Sequence, residues 1–113
     1  MRLTSSIWVA AHIRRCFAEG AMAAVLRHGA DEAGAILVIV DRLDGTVDLY
    51  GPAPQSILAE GNPGDRLFQR LIEGGDREAI TKRIDSECRF DPDLWVVEIE
   101  DREGRSFLDL AKS

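Results

Sequence analysis

The sequence predicts an α+β fold, an antiparallel sheet of four to five strands with two helices packed mainly on one face. Two segments carry apolar residues at the three-to-four-residue spacing of a helix. A third segment, Ala35–Val40, is apolar at every position, which is typical of a buried central strand. The dipeptide Asp44-Gly45 follows it between strand-forming residues and is a strong signal for a β-hairpin.

The first helix is predicted to begin at a cap residue, Ser5 or Ser6, and to run to about Glu19, where Gly20 ends it. Apolar side chains at every third or fourth position place one face of this helix in the core. The predicted core-face residues are Val9, Ile13, Cys16, Phe17 and Gly20. His12 lies on a separate flank and is predicted to point away from that core.

The first three strands follow from apolar runs and turn residues. Ala23–Arg27 is predicted to be a short strand, and Ala35–Leu43 to be the central one. A two-residue turn at Asp44-Gly45 pairs the central strand antiparallel with Thr46–Tyr50. Gly51–Pro54 ends that strand because proline cannot donate a hydrogen bond to a neighbouring strand.

The segment between this hairpin and the second helix combines two patterns. Gln55–Gly64 is predicted to be a loop with a helical turn at Ser56–Glu60. Asp65–Glu73 suits either a helix or an irregular strand, and the strand is favoured because Gly74-Gly75 ends the segment so soon.

A second helix and a final strand complete the predicted fold. The helix begins at the cap Asp76 and ends near Glu87 or Arg89. Leu94–Glu100 alternates apolar and charged residues as a strand does, and Ser106–Leu110 is predicted to fold back as a short strand. The predicted core comprises Val9, Ile13, Phe17, Ile36, Val38, Val40, Leu49, Ile84, Trp95, Val97 and Ile99.

Composition and charge restrict the functions that fit this chain. The formal net charge of −6 disfavours phosphate backbones and anionic lipids, so nucleic acid is not the expected partner and no membrane partner is expected. Cys16 and Cys88 are too few for a disulfide framework, which indicates free thiols in a reducing compartment. The early apolar run is interrupted by His12 and Arg14 and does not resemble a signal peptide. We therefore expect a cytoplasmic protein.

Two stretches resemble a known family. They are Asp41–Gln55, with the sequence DRLDGTVDLYGPAPQ, and Arg89–Glu100, with the sequence RFDPDLWVVEIE. Both are similar to the small bacterial proteins of the domain-of-unknown-function family 1491, and the likeness extends from the Ile7-Trp8-Val9 helix to Arg102. The family has no assigned function, so the resemblance implies a stand-alone single domain over residues 1–113 and no particular activity.

A carboxylate pair is the first candidate site. With a two-residue turn, Asp41 and Asp48 lie directly opposite each other in the hairpin. Like charges in this position destabilise a sheet unless something compensates them. The pair could hold a cation, or one carboxyl could stay protonated as a general acid. Alternatively, both side chains point into solvent, an Arg or Lys lies between them, or a longer loop shifts the register.

A basic aromatic flank on the first helix is the second candidate site. Trp8, His12 and Arg15, with Arg14 nearby, offer indole, imidazole and guanidinium groups that can bind a phosphate, a carboxylate or a base. An ordinary solvated helix surface carries the same residues, with Trp8 packed on a neighbouring segment. Tyr50, beside a proline corner, is a further candidate binding residue because rigid corners lose little entropy on binding.

The sequence contains no complete metal-binding or catalytic motif. His12 and Cys16 have a spacing that suits two zinc ligands, but His28 and Cys88 would have to complete the set, and no zinc-knuckle spacing is present. No serine stands in a nucleophile elbow, and no glycine-rich loop precedes a Lys-Ser or Lys-Thr pair. We predict no metal and no cofactor.

Three functions are compatible with these patterns. The favoured one is a non-enzymatic protein-interaction or regulatory module that binds another protein or a second copy of itself, through a sheet edge or the first helix. The second is a small cation-dependent enzyme or binder that uses Asp41 and Asp48. The third is nucleic-acid or phosphate binding by the flank around Trp8.

Overall fold

The structure, a computed structural model, describes residues 3–54 and 66–111 of the chain. Two helices and five strands occupy these ranges. In chain order they are α1 (Ser5–Ala18), β1 (Met22–Arg27), β2 (Ile36–Asp41), β3 (Val47–Pro52), β4 (Phe68–Gly75), α2 (Arg77–Phe90) and β5 (Trp95–Glu100). The strands form one sheet in the order β1-β5-β2-β3-β4, which confirms the predicted α+β class.

The central strand of the sheet is β2. It pairs antiparallel with β3 and parallel with β5, while β1–β5 and β3–β4 are antiparallel pairs. The parallel pair arises because β3, β4 and α2 lie between β2 and β5 in the chain, and this long crossover lets β5 enter the sheet in the direction of β2. The sheet is therefore mostly antiparallel, as predicted, with one parallel pair that the sequence pattern did not indicate.

The two faces of the sheet carry separate apolar cores. One core joins α1 to alternate strand residues, and its members include Val9, Cys16, Ile36, Val38, Tyr50 and Val97. The other core joins α2 to the intervening strand residues, and its members include Leu37, Ile39, Leu49, Ile80, Leu94 and Val96. Each helix thus covers its own face, which differs from the predicted placement of both helices mainly on one face. The physical reason is that β2 is apolar at every position, so both of its faces need a cover.

Helix α1 is rotated relative to the prediction. Its cap is Thr4, whose side chain accepts a hydrogen bond from the amide of Ile7. Ser5 is fully buried and donates its hydroxyl proton to the carbonyl oxygen of Gly34 at 2.6 Å. The buried stripe consequently contains His12, whereas Phe17 is 49% exposed. The predictions that Phe17 belongs to the core and that His12 points away from it are both wrong.

Gly20, also predicted on the core face of α1, is exposed, whereas the other predicted core positions are buried or half-buried. Ile13 and Ile84 are half-buried against the α1 core and the α2 core respectively. Cys16 is fully buried, and this burial raises the pKa of its thiol to about 11, so the thiol stays protonated and unreactive at neutral pH.

The turn between β2 and β3 is one residue longer than predicted. The amide of Arg42 bonds the carbonyl of Thr46, so three residues, Leu43 to Gly45, form the loop. Asp41 accepts a hydrogen bond from the amide of Leu43, and Asp44 accepts one from the amide of Thr46, so both carboxylates hold the longer loop. Leu43 and Gly45 adopt left-handed backbone angles, φ 63° and 93°, that reverse the chain.

This longer loop shifts the register of the hairpin. Asp41 lies opposite Val47, and Asp48 lies opposite Val40. Because successive residues of a strand point to opposite faces, Asp41 and Asp48 lie on different faces of the sheet. The predicted facing pair of carboxylates is therefore wrong.

Asp48 is a fully buried carboxylate with a complete set of partners. One carboxylate oxygen accepts two hydrogen bonds from Arg42, from Nε at 3.0 Å and from Nη2 at 2.7 Å. The other oxygen accepts the amide of Gly74 at 2.7 Å, a residue with φ 62° near the end of β4. Asp48 thus connects the β2–β3 hairpin to the end of β4, and its hydrogen bonds to Arg42 and Gly74 compensate the burial of its charge.

The remaining elements agree with the sequence in part. The ambiguous segment before Gly74 is a strand, β4, and Asp76 caps α2 by accepting the amide of Ala79 at 2.7 Å. Residues 106–110 form no strand, and only Leu110 makes an isolated bridge, with Phe68. The predicted loop Gln55–Gly64 and its helical turn at Ser56–Glu60 lie outside the described residues.

Replacement of Asp48 by Asn tests its role in the hairpin. We expect Asp48→Asn to lower the free energy of unfolding by about 3 kcal/mol, since it leaves Arg42 without its buried charge partner. Urea unfolding followed by circular dichroism measures this loss. Asp41→Asn is the matched control, because Asp41 is only partly buried, and we expect it to cost less than about 1 kcal/mol. Equal losses for the two variants would contradict the assignment.

Candidate functional site

The proposed binding flank of α1 is divided between interior and surface. His12 is buried, and its Nε2 donates to the carbonyl oxygen of Ser106 at 2.9 Å. Trp8 stacks on His12, with ring centroids 4.7 Å apart and planes 9° from parallel, and also contacts Phe68. The buried imidazole and the half-buried indole are therefore packing groups that join α1 to β4 and the C-terminal segment.

The rest of this flank is solvated. Arg14 and Arg15 are exposed on α1. The structure thus does not bring the two guanidinium groups together with the two rings on one binding surface. His12 could not be recognised as buried from the sequence because its partner, Ser106, is 94 residues away in the chain.

Tyr50 is also an interior residue, with 1% of its surface exposed. Its hydroxyl accepts hydrogen bonds from Arg70, from Nε at 3.3 Å and from Nη2 at 3.1 Å. The guanidinium carbon of Arg70 also lies 5.5 Å from the centre of the ring. Tyr50 therefore joins β3 to β4 and does not present its ring at the proline corner.

Asp41 belongs to a different carboxylate group from the predicted one. Within residues 3–54 and 66–111, Asp41, Glu98 and Glu100 are the one set of three acidic, histidine or cysteine side chains close enough to share a cation, with oxygens within 4.8 Å of one another. Arg77 of α2 already donates to Asp41 at 3.0 Å and to Glu98 at 2.9 Å. The parallel pairing of β2 and β5, which periodicity does not reveal, brings these carboxylates together.

The four potential zinc ligands do not form a site. His28 donates from Nε2 to a carboxylate oxygen of Asp31 at 2.9 Å and packs on Trp95, and Cys88 lines the α2 side of the sheet. Cys16 and His12 belong to the opposite, α1 side.

Strand β1 forms the most exposed apolar surface of the sheet. Its side chains Met22, Val25 and Leu26 have exposed fractions of 58%, 39% and 57% respectively. One side of β1 pairs with β5, while the other side has no neighbouring strand among the described residues. β1 carries no charged residue before Arg27, which is the last residue of the strand.

A groove lies between β1 and α2 on the α2 face. It has a volume of about 530 Å³, and its apolar walls come from Leu26, Ile80, Ile84, Cys88 and Val96. Helix α2 packs on β3 and β4, at the far side of the sheet from β1, so within residues 3–54 and 66–111 no helix packs on the α2 face next to β1. Here the sheet offers both free backbone groups and apolar side chains.

The opposite edge strand, β4, is protected in several ways. Its Phe68 exchanges backbone hydrogen bonds with Asp109 and Ala111, which covers part of the edge. Arg70 and Glu73 place charges along it, and its pairing with β3 is irregular. Natural sheets use such charges, irregularities and covers to prevent edge-to-edge association. By comparison, β1 carries no charge before Arg27 and has no cover among the described residues, and its one irregularity is the bulge between Val25 and Arg27.

The pH dependence of stability tests the buried state of His12. Burial lowers the pKa of His12 below 6.5, and the hydrogen bond to Ser106 opposes this effect only in part. The unfolded chain therefore takes up the proton first as pH falls. We expect the free energy of unfolding to be highest above pH 6.5 and to fall as pH drops towards the lowered pKa, at no more than about 1.4 kcal/mol per pH unit.

Two variants separate His12 from other titrating groups. His12→Gln should remove this component of the slope, while His28→Gln, at an exposed histidine, should retain it. Chemical denaturation at a series of pH values between neutral and mildly acidic measures both slopes. An unchanged slope in His12→Gln would refute the assignment.

None of the helices in the described ranges has the length and apolar character that a membrane crossing requires.

Known structures share this fold over nearly the whole chain. A crystal structure of a DUF1491 family protein from Caulobacter crescentus CB15 is 39% identical, covers 99% of this chain and 100% of its own, and has a TM-score of 0.80. A solution structure of a protein from A. tumefaciens is 45% identical, with coverage of 100% and 98% and a TM-score of 0.87. An NMR structure of a Caulobacter crescentus family member is 40% identical, with coverage of 99% of each chain and a TM-score of 0.77.

No curated protein matches the sequence. The family model described as a protein of unknown function, DUF1491, matches residues 3–109. The match covers almost all of the sequence and agrees with the resemblance seen in Asp41–Gln55 and Arg89–Glu100. The chain therefore belongs to the DUF1491 family.

Proposed function

We propose that this chain is a non-enzymatic protein-interaction module that binds an extended strand of a protein partner along β1. The observation that carries the proposal is the contrast between the two edges of the sheet. β4 is charged and partly covered, whereas β1 carries no charge before Arg27, has no strand on its outer side among the described residues, and exposes the apolar side chains of Met22, Val25 and Leu26. Strand addition uses such an edge, since backbone hydrogen bonds provide affinity and alternate side-chain contacts provide specificity.

The sheet edge is a better candidate than the first helix. Trp8 and His12 are packed on each other and against Phe68 and the C-terminal segment, so they have little surface to offer a partner. Met22 and Leu26, by contrast, expose more than half of their surface. The groove beside β1, whose apolar walls are bordered by Arg27, Arg77, Asp85 and Arg89, adds contact area for the side chains of an incoming strand.

The other two functions receive less support from the geometry. A cation held between Asp41 and Asp48 would need carboxylates that face each other, but the two residues lie on opposite faces of the sheet. Nucleic-acid or phosphate binding would need Trp8 and His12 beside Arg14 and Arg15 on one surface, but His12 is buried and Trp8 is half-buried and stacked on it. A cytoplasmic location fits the proposal, since Cys16 and Cys88 are free thiols.

Site-specific photo-cross-linking in cells tests the proposed surface. A benzophenone amino acid at Leu26 should give a discrete cross-linked band upon irradiation, because a strand bound at β1 lies within a few ångströms of that position. Leu43 is the matched control, because it is 47% exposed but lies in the β2–β3 loop. The proposal fails if Leu26 gives no band, or if Leu43 gives the same bands with the same yield.

A further inference from the structure

We infer that the strand bound at β1 belongs to a second copy of this chain, with the two β1 strands antiparallel and Ala24 on the two-fold axis. This inference rests on the proposed function of β1 as the interaction edge. It would extend the five-stranded sheet into one continuous sheet across the two copies. Antiparallel pairing of identical strands about a two-fold axis is the simplest closed assembly that leaves no β1 edge open.

The side chains of β1 fit this register on the α2 face. In β5, Glu98 pairs with Ile39 of β2, a residue of the α2 core, and Glu100 pairs with Asp41 two positions along. Ala24 and Met22 pair with Glu98 and Glu100 respectively, so both β1 residues lie on the α2 face. Leu26 lines the groove on the same face, as the ordinary alternation of a strand requires, and the bulge after Val25 brings Arg27 opposite Val96 on this face as well. With Ala24 on the axis, Met22 of each copy lies opposite Leu26 of the other.

The α1 face gives an equally consistent arrangement. Ala23 and Val25 pair with Ile99 and Val97, which belong to the α1 core. In the same register, Ala23 of one copy lies opposite Val25 of the other. Directly opposed residues of an antiparallel pair point to the same face, and here every opposed pair from Met22 to Leu26 does so and is apolar.

Neighbouring two-fold registers match less well. Moving the axis from Ala24 to Val25 places Met22 opposite His28, and moving it to Ala23 places Leu26 opposite Gly20. Either shift leaves one of the two large apolar side chains without an apolar partner. The sequence of β1 is thus self-complementary in one register.

Charge complementarity supports the same occupant. Arg27 follows Leu26, which lies opposite Met22 of the other copy, so Arg27 comes close to that Met22. In the same copy, Glu100 of β5 pairs with Met22 and therefore also lies near Arg27. Arg27 donates to the carbonyl oxygens of Leu94 and Pro92, at 3.1 Å and 2.9 Å, and Glu100 is exposed. Within residues 3–54 and 66–111 neither Arg27 nor Glu100 forms an ion pair. Arg27 of one copy can therefore form an ion pair with Glu100 of the other across the interface.

Disulfide trapping tests the register directly. In a Cys88→Ser background, we expect Ala24→Cys to give a covalent dimer under mild oxidation, since opposed Cα atoms lie about 4.5–5.5 Å apart, within the range of a disulfide. Met22→Cys, on the same face and similarly exposed, is the matched control. In the dimer, the two substituted residues at position 22 would be separated by roughly 13 Å along the strands, so this variant should not cross-link.

Sedimentation equilibrium tests the association without a covalent bond. The purified chain, of mass 12.5 kDa, should sediment as a dimer at micromolar concentration. Leu26→Lys should raise the dimer dissociation constant at least about tenfold, because two ammonium groups would then lie in an apolar contact. Leu43→Lys, at an exposed loop residue, should leave it unchanged.

The outcomes separate this inference from the proposed function. A monomer throughout the micromolar range, or equal cross-linking of Ala24→Cys and Met22→Cys, overturns the second copy as the occupant of β1. If the photo-cross-linker at Leu26 then gives a band that contains a different protein, the interaction edge stands and only its partner changes. If that position gives no band, the proposed function fails as well.

Discussion

Burial of β2 on both faces is the constraint on which the rest of the structure depends. Each of its residues from Ile36 to Val40 is at most 2% exposed, so the strand needs a neighbour on each edge and a helix over each face. β3 and β5 supply the neighbours, while α1 and α2 supply the covers. Once β5 pairs with β2, the remaining edge of β5 is taken by β1, and β1 becomes an edge strand with no further strand beside it in the part of the chain that the structure describes.

Local sequence patterns were sufficient to predict most elements of this fold. The apolar run of β2, the helical spacing of α1 and the cap at Asp76 each depend on residues close together in the chain, and each prediction of an element was confirmed. The family was likewise recognisable from two contiguous stretches. The parallel β2–β5 pair was not predictable in this way, because nothing local specifies which edge of β2 a later strand takes.

The candidate sites depended on details that local patterns do not determine. One extra loop residue, held by the side chains of Asp41 and Asp44, changed the register and separated Asp41 from Asp48. The buried stripe of α1 is rotated from the predicted one, which brings His12 into the core, where its ring donates a hydrogen bond to the carbonyl oxygen of Ser106. The β1 edge was predicted only in general terms, as a sheet edge, because which strand lies at the edge is a property of the whole topology.

Amide hydrogen exchange along β1, measured on the purified chain at low and high protein concentration, tests the central claim most directly. If β1 pairs with a second copy, the amides of Met22–Leu26 should exchange more slowly as concentration rises, while those of β4 should keep their rates. If β1 instead exchanges rapidly at every concentration, its outer edge is free in the purified chain, and the account of β1 as a self-associating edge is contradicted.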